Sequence, residues 1–242
     1  MIDIHCHILP GVDDGPIEMA DSVEMCRMAA ADGIKKIVAT PHFKPGIYEL
    51  PTSELVTSRA SALNDAVKAA GLGVEILVGS EVRLTEAVFE HVGRVDFLTL
   101  NRTGAYMLVE FPMSGALPLN WLELLEKLLA RGITPVIAHP ERSDALIDDP
   151  ALVSEAVSLG ALTQLTAGSL VGEYGGRIRD FSIAFVSDGL AHALSTDSHS
   201  PIRRPPCLSE AARAAARVVG ESAALDLVLH NPEAIINGRP LP

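Results

Sequence analysis

The feature that most limits the fold of this chain is an alternation. Seven short aliphatic runs, at residues 1–4, 34–39, 74–78, 106–109, 134–138, 162–165 and 191–195, are separated by longer stretches, several with helical spacing. Runs this brief and this continuously apolar suit strands buried on both faces, as in a parallel sheet. Helices are expected at 17–31, 52–70, 119–130, 151–159 and 209–219. Ser53 is the expected N-cap of the second, and Gly33, Gly71, Gly132, Gly160 and Gly220 are expected to close the five in left-handed caps. Strands alternating with helices across short links give βα units with right-handed crossovers. The expected architecture is α/β, a distorted (β/α)7 TIM-like barrel in one domain over residues 1–242. An open doubly wound sheet is the competing arrangement.

Composition narrows the partners. The chain of 242 residues is 48% hydrophobic and 21% charged, which excludes a disordered tail or a small disulfide scaffold. Its 31 acidic residues against 19 Lys and Arg leave a formal charge of −12. Such a surface argues against nucleic acid or anionic membrane as a main partner and is no obstacle to divalent cations. Three cysteines, Cys6, Cys26 and Cys207, suit a reducing cytosol. The first residues carry no basic stretch leading into an apolar core, and no apolar run reaches the ~18 residues of a membrane span. A cytoplasmic protein without membrane insertion is expected.

Side chains that bind cations fall at the ends of the runs. His5 and His7 follow the first, His42 the second, Glu81 the third and Glu110 the fourth. His139 follows the fifth, and Asp197 and His199 the seventh. In a barrel all these positions open onto one face, where active sites are built. His5-Cys6-His7 puts two imidazoles on one side of an extended backbone with Cys6 on the other, and Asp197-Ser198-His199 repeats the spacing. His91, His192 and His230 are scattered and stay outside the set. Asp13 is read as a turn residue that caps the next helix, while Asp14 is either a turn residue or a ligand.

A mixed N/O donor set without cysteine excludes an iron–sulfur cluster and suits Mn²⁺, Fe²⁺ or Zn²⁺ in a site of two or three ions. Clustered cations activate water and clamp phosphoryl oxygens, so phosphate-ester hydrolysis is the expected reaction class. Arg142 lies three residues past His139, and Arg203 and Arg204 follow His199; each is a candidate for holding phosphate oxygens. The spacing of Cys207 and Arg213 imitates the C-x5-R of thiolate phosphatases. The interval lacks glycine, contains Glu210 and reads as the start of a helix, so it is rejected as a catalytic centre. Trp121 is read as helix packing. Residues 43–54 form a loop that either shapes the pocket or only connects elements.

With these residues in view, the chain resembles the polymerase-and-histidinol-phosphatase (PHP) superfamily. Within it, the chain is similar to the metal-dependent bacterial protein-tyrosine phosphatases of capsule and exopolysaccharide systems. The resemblance is carried by Met-Ile-Asp-Ile-His-Cys-His-Ile at the start, Val-Asp-Asp-Gly-Pro at 12–16, and stretches 37–42, 79–81, 108–111, 135–142 and 195–199. Arg204-Pro205-Pro206 and Asn231-Pro232 complete it.

The resemblance implies a PHP-fold barrel holding three metals, usually Mn²⁺, with Fe²⁺, Zn²⁺, Mg²⁺ or Co²⁺ as alternatives. His5, His7, Glu81 and Asp197 would hold the first, Glu81, Glu110 and His139 the second, and Asp14, His42 and His199 the third. Arg142 would stabilise the transition state and Arg204 would bind phosphate. The implied partner is the phosphorylated C-terminal tail of a tyrosine autokinase that controls polysaccharide export, and the enzyme would be a phosphoric monoester hydrolase. An oligomer is compatible with this reading. The alternatives are a phosphatase for a small ester such as histidinol phosphate and a non-catalytic metal-binding regulatory module.

Overall fold

A computed structural model describes residues 1–242. Its strands are β1 (Ile2–Cys6), β2 (Lys36–Ala39), β3 (His42–Phe43), β4 (Glu75–Val78), β5 (Glu81–Arg83), β6 (Tyr106–Glu110), β7 (Thr134–Ala138), β8 (Leu162–Thr166) and β9 (Ala193–Ser195). They overlap all seven expected runs. Two runs are each followed by a short further strand beyond their end: β3 after a break at Thr40-Pro41, where proline has no N–H to give to a ladder, and β5 after a break at Gly79-Ser80.

Every strand pairing is parallel. The orders are β1-β2-β4 and β3-β5-β6-β7-β8-β9, and backbone bonds from Gly79 N to Ala39 O (2.8 Å) and Glu81 N to Pro41 O (3.2 Å) run between the strands at the breaks. The last strand then meets the first. Cys6 bridges Ser198 in parallel, His7 N donates to Ser198 O at 2.8 Å and Asp197 N to His5 O at 2.9 Å. This return contact distinguishes the arrangement from an open doubly wound sheet.

The helices are α1 (Met19–Asp32), α2 (Ser53–Ala69), α3 (Trp121–Leu129), α4 (Asp144–Asp148), α5 (Ala151–Ser158), α6 (Ala167–Val171), α7 (Gly176–Ser187), α8 (Ser209–Val219), α9 (Glu221–Leu225) and α10 (Asn231–Ile236). Helices α1, α2, α3, α5 and α8 occupy the five expected stretches, and α4, α6, α7, α9 and α10 lie outside them. Other details differ as well. The N-cap of α2 is Thr52, whose hydroxyl accepts from Leu55 N, so Ser53 is the first helical residue. Gly220 follows α8 with φ 86 and ψ 162, which is not a left-handed cap. The link from β5 to β6 has only short 3₁₀ turns at Glu86–Glu90, Asp96–Leu98 and Leu100–Arg102, so one unit of the barrel lacks its α-helix.

The main core lies between strands and helices and contains Met25, Phe43, Leu63, Phe97, Leu125 and Leu165. Trp121 belongs to it, edge-on to Phe111 at 5.6 Å, as its reading as packing requires. A second cluster joins Ile2, Ile4, Val38, Leu108, Val136 and Ala193 to Ile235 and Ile236 of α10. Burying an aliphatic side chain of this size contributes about 1.5–3 kcal/mol, so this layer gives a stable base beneath the strand C-terminal ends.

Candidate metal centre

The strand ends converge because the backbone re-aims several of them. β1 has a register shift against β2: Asp3 pairs with Ile37, while Cys6 pairs with Ala39. One extra residue changes the parity of the strand. Ile2 and Ile4 therefore pack in the second cluster, while His5 and His7 join the donor cluster and Cys6 packs in the main core. His139 and Asp197 use another device. Their φ values are 35 and 50, a left-handed backbone that costs a non-glycine residue about 1–3 kcal/mol. At β7 this turn puts His139 in the centre although its neighbour Ala138 packs in the second cluster.

Three groups of donors have atoms lying within 4.8 Å of one another. They are His5, His7 and Glu81; His42, Glu81 and Glu110; and His7, Asp14, His42 and His199. His139 Nε2 stands 2.7 Å from Glu81 Oε1, and Asp197 Oδ1 lies 3.4 Å from His5 Nε2 and 3.6 Å from His7 Nε2. All nine expected donors thus meet, with Glu81 central. The groups differ in detail from those the resemblance implies: Glu110 stands with His42 and Glu81, and His7 joins the Asp14 group. All are buried except half-buried His42 and Asp14, whose side chain is 62% exposed at the mouth.

The two guanidiniums join the same cavity, of about 250 Å³. Arg142 Nη1 pairs with Asp197 Oδ2, and Arg204 Nη1 reaches the same oxygen at 3.0 Å. Arg142 makes no ion pair with Glu141 or Asp144. Glu141 instead accepts from Thr166 N and the Ser169 hydroxyl, holding the loop. Arg203 is exposed and does not line this cavity.

Residues that sequence reasoning missed surround the donors. Gln164 Oε1 holds His5 Nδ1 at 2.7 Å, and Asp13 Oδ2 holds His7 Nδ1 at 2.6 Å. Asp13 also accepts from His42 N and Gly15 N. It is a turn residue, as expected, but it does not cap α1, whose N-cap is Glu18. Such partners fix the ring orientation of a metal-binding histidine. Asp3 accepts from Thr196 N, Thr196 Oγ1 and His5 N, and its burial raises its carboxyl to about 6. Lys44 and Arg83 reach Glu110 at 3.0 and 3.4 Å. Their signal was present: His42-Phe-Lys44 and Glu81-Val-Arg83 repeat the two-residue spacing that brought His5 and His7 together.

Burial alone would raise Glu81 and Asp197, but the imidazole charges outweigh it and hold both carboxyls low. Burial would likewise depress His7, His42 and His139. Asp13 acting on His7, Asp14 on His42 and Glu81 on His139 push them up instead, His42 to about 9. His199 goes down, through burial and the like charge of the His7 ring, whose centre lies 3.9 Å away. A field that favours a proton on these rings also favours a divalent cation. Buried His42 Nδ1 and Glu110 Oε1 stand 4.0 Å apart and make no well-aligned hydrogen bond, though Glu81 Oε2 lies 2.8 Å from the first and Lys44 Nζ 3.0 Å from the second, so both keep a donor atom turned to a charged neighbourhood that a cation could share. The donor set therefore fits oxygen- and nitrogen-preferring divalent ions.

Cys207 is unsuited to nucleophilic work. Burial and the nearby Asp32 raise its thiol. Asp32 already occupies the start of α8, accepting from Leu208 N, Ser209 N and the Ser209 hydroxyl. A carboxylate stands where a phosphate would have to bind.

These features define a class: a parallel α/β ring with a buried cluster of side chains that could hold metal at its strand C-terminal ends. The chain belongs to the CpsB/CapC family of capsular polysaccharide synthesis, whose family model matches residues 1–237. It is 39% identical over 200 residues to tyrosine-protein phosphatase YwqE of Bacillus subtilis, covering 83% of this chain and 78% of that one. It is 31% identical over 244 residues to tyrosine-protein phosphatase CpsB of Streptococcus pneumoniae, covering 98% of each. A crystal structure from work on YwqE and CpsB, metal-dependent tyrosine phosphatases, superposes with a TM-score of 0.93 at 34% identity, over 100% of this chain and 96% of that one. The fold alone is shared with histidinol phosphate phosphatase of Lactococcus lactis, at TM-score 0.57 and 13% identity over 92% of this chain and 93% of that one.

Proposed function

We propose that this protein is a metal-dependent phosphotyrosine-protein phosphatase of the cytoplasm. Its substrate is the phosphorylated C-terminal tail of a tyrosine autokinase governing capsular or extracellular polysaccharide synthesis. The observation that carries the reading is the meeting of nine donor side chains, seven of which line one polar cavity together with two guanidiniums. Relatives that are tyrosine phosphatases, matching most of the chain, support the substrate class. No helix is long and apolar enough to cross a membrane.

His5, His7, Glu81 and Asp197 are assigned to a first ion, Glu81, Glu110 and His139 to a second, and Asp14, His42 and His199 to a third. Mn²⁺ is the preferred ion. When bound, such a cluster lowers the pKa of water and screens phosphoryl charge. The chain's own side chains do the rest. Arg142 and Arg204 present N–H groups to the phosphoryl oxygens, exchanging part of their present pairing with Asp197 for the substrate dianion. Asp13 and Gln164 keep His7 and His5 in one orientation.

The test compares a phosphotyrosine peptide with histidinol phosphate after chelation and Mn²⁺ add-back. Peptide turnover is expected to vanish on chelation and return with the metal. His139→Ala and Asp197→Ala are expected to lose about 100-fold or more, and Cys207→Ser to retain full activity. Turnover of histidinol phosphate alone, or full activity in His139→Ala, would sink the reading.

A further inference from the structure

Ten large apolar side chains are exposed, and six of them, Ile17, Ile47, Tyr48, Met113, Leu119 and Ile202, sit on loops leaving the strand C-terminal ends. The other four, Leu159, Ile183, Val218 and Leu225, lie on or at the end of helices α5, α7, α8 and α9. Single exposed aliphatics need no explanation, but a concentration on one face marks an interaction surface. Ile17, Leu119 and Ile202 are 78%, 106% and 87% exposed, so they touch almost nothing in their own chain.

The centre of the same face has the opposite character. Of the twelve residues around the donor cavity only Met113 is hydrophobic. Beside it opens a second cleft of about 370 Å³, which shares Asp14, His42 and Lys44 with the first and has Val12 and Tyr48 as its apolar wall. Lys44 Nζ stands 5.8 Å from the centre of the Tyr48 ring, so cation and aromatic line one passage between the two. The expected loop at 43–54, which the structure confines to 44–52 between β3 and α2, therefore shapes the pocket as well as connecting elements.

We infer that this enzyme reads apolar side chains flanking the phosphotyrosine. The inference rests on the phosphatase reading above and concerns which sequences that site accepts. The occupant is an extended segment of a partner protein. Its phosphoryl group meets Lys44, Arg142 and Arg204, its neighbouring side chain enters the cleft against Tyr48 and Val12, and the chain on either side passes over the exposed apolar side chains of these loops, which serve it as a rim. Charge selects between kinds of flank. A chain of formal charge −12 stays net negative even with three divalent ions bound and repels acidic neighbours of the phosphotyrosine, whereas apolar ones escape that cost and bury against the exposed apolar side chains. A small ester fills the polar cavity and leaves the rim unused.

The experiment uses the Mn²⁺-loaded full chain with three substrates: phosphotyrosine peptides of equal length with Leu/Phe flanks or Asp/Glu flanks, and p-nitrophenyl phosphate. The apolar-flanked peptide is expected to exceed the acidic one about tenfold or more in kcat/KM, through KM, a gap typical of one well-filled apolar subsite. In Tyr48→Ser the ratio of apolar-flanked peptide turnover to p-nitrophenyl phosphate turnover is expected to fall about tenfold, and Tyr48→Phe to restore it. The combined variant Ile17→Ser, Leu119→Ser, Ile202→Ser is expected to lose preference for apolar flanks. Equal turnover of the two peptides by the wild type overturns this inference and leaves the phosphatase reading standing. Turnover of p-nitrophenyl phosphate and histidinol phosphate but of neither peptide overturns both. Conversion of an oligomer to a monomer by the combined variant, or its loss of binding to phosphatidylcholine vesicles, with peptide preference unchanged, assigns the rim to another occupant and overturns the inference.

Discussion

Asp13 ties three parts of the site together: the ring of His7, the backbone N–H of His42 and its own turn at Gly15. Its carboxylate is held low by His7 despite burial, so it stays an acceptor at neutral pH. Replacing it with Asn keeps the shape but removes the charge that fixes the His7 tautomer. Asp13→Asn is expected to weaken metal binding about 10–100-fold with little change in fold, measured by titrating Mn²⁺ into the chelated protein. An unchanged affinity would reduce Asp13 to a turn residue. Gln164 acts on His5 in the same manner from β8, two strands along the sheet from β1 and 159 positions away in sequence.

At the scale of the element, the β1–α1 loop is built around one close approach. A Cβ on Gly15 would lie 2.4 Å from His7 O and 3.0 Å from the carbonyl carbon. The obstacle is backbone, so it has no rotamer to move, and the loop carrying Asp13 and Asp14 must shift instead. Gly15→Ala is expected to lower bound metal per chain, read by elemental analysis, while costing about 1–3 kcal/mol of stability, read from Tm. Full metal content in this variant would show that the loop tolerates displacement. Strand β1 gives the complementary case, because there an extra residue, not a missing Cβ, aims the side chains.

For the molecule as a whole, the buried donor cluster makes stability depend on pH and metal together. Without metal, the raised rings of His7, His42 and His139 contribute stability that is fully present below about 6.5 and is lost as pH rises through the folded values, about 9 for His42. The depressed carboxyls of Asp14, Glu81 and Asp197 contribute above about 4.5 and lose their contribution as pH falls. The chelated protein is therefore expected to have its highest Tm between about pH 4.5 and 6.5 and to lose Tm toward pH 9. Metal-loaded protein is expected to gain over the same upper interval, because ions bind the deprotonated rings. A flat or rising Tm for chelated protein between pH 6.5 and 9 would contradict the assignment of these charges.

The amino-acid sequence by itself carried whatever depends on neighbours within a few residues. Strand runs, the positions of five of the ten helices and the candidate donors at strand termini are local patterns of hydrophobicity and spacing, and they were legible. Lys44 and Arg83 were legible in principle, since each stands two residues beyond a donor on extended backbone. Gln164 and Asp3 were not, because an amide or acid within an apolar run carries no mark of the ring or loop it will meet. Which side chains face inward was decided only by the closed ring. The shifted register of β1 and the left-handed turns at His139 and Asp197 cost free energy locally, and only tertiary closure offsets it, so no local pattern announces them.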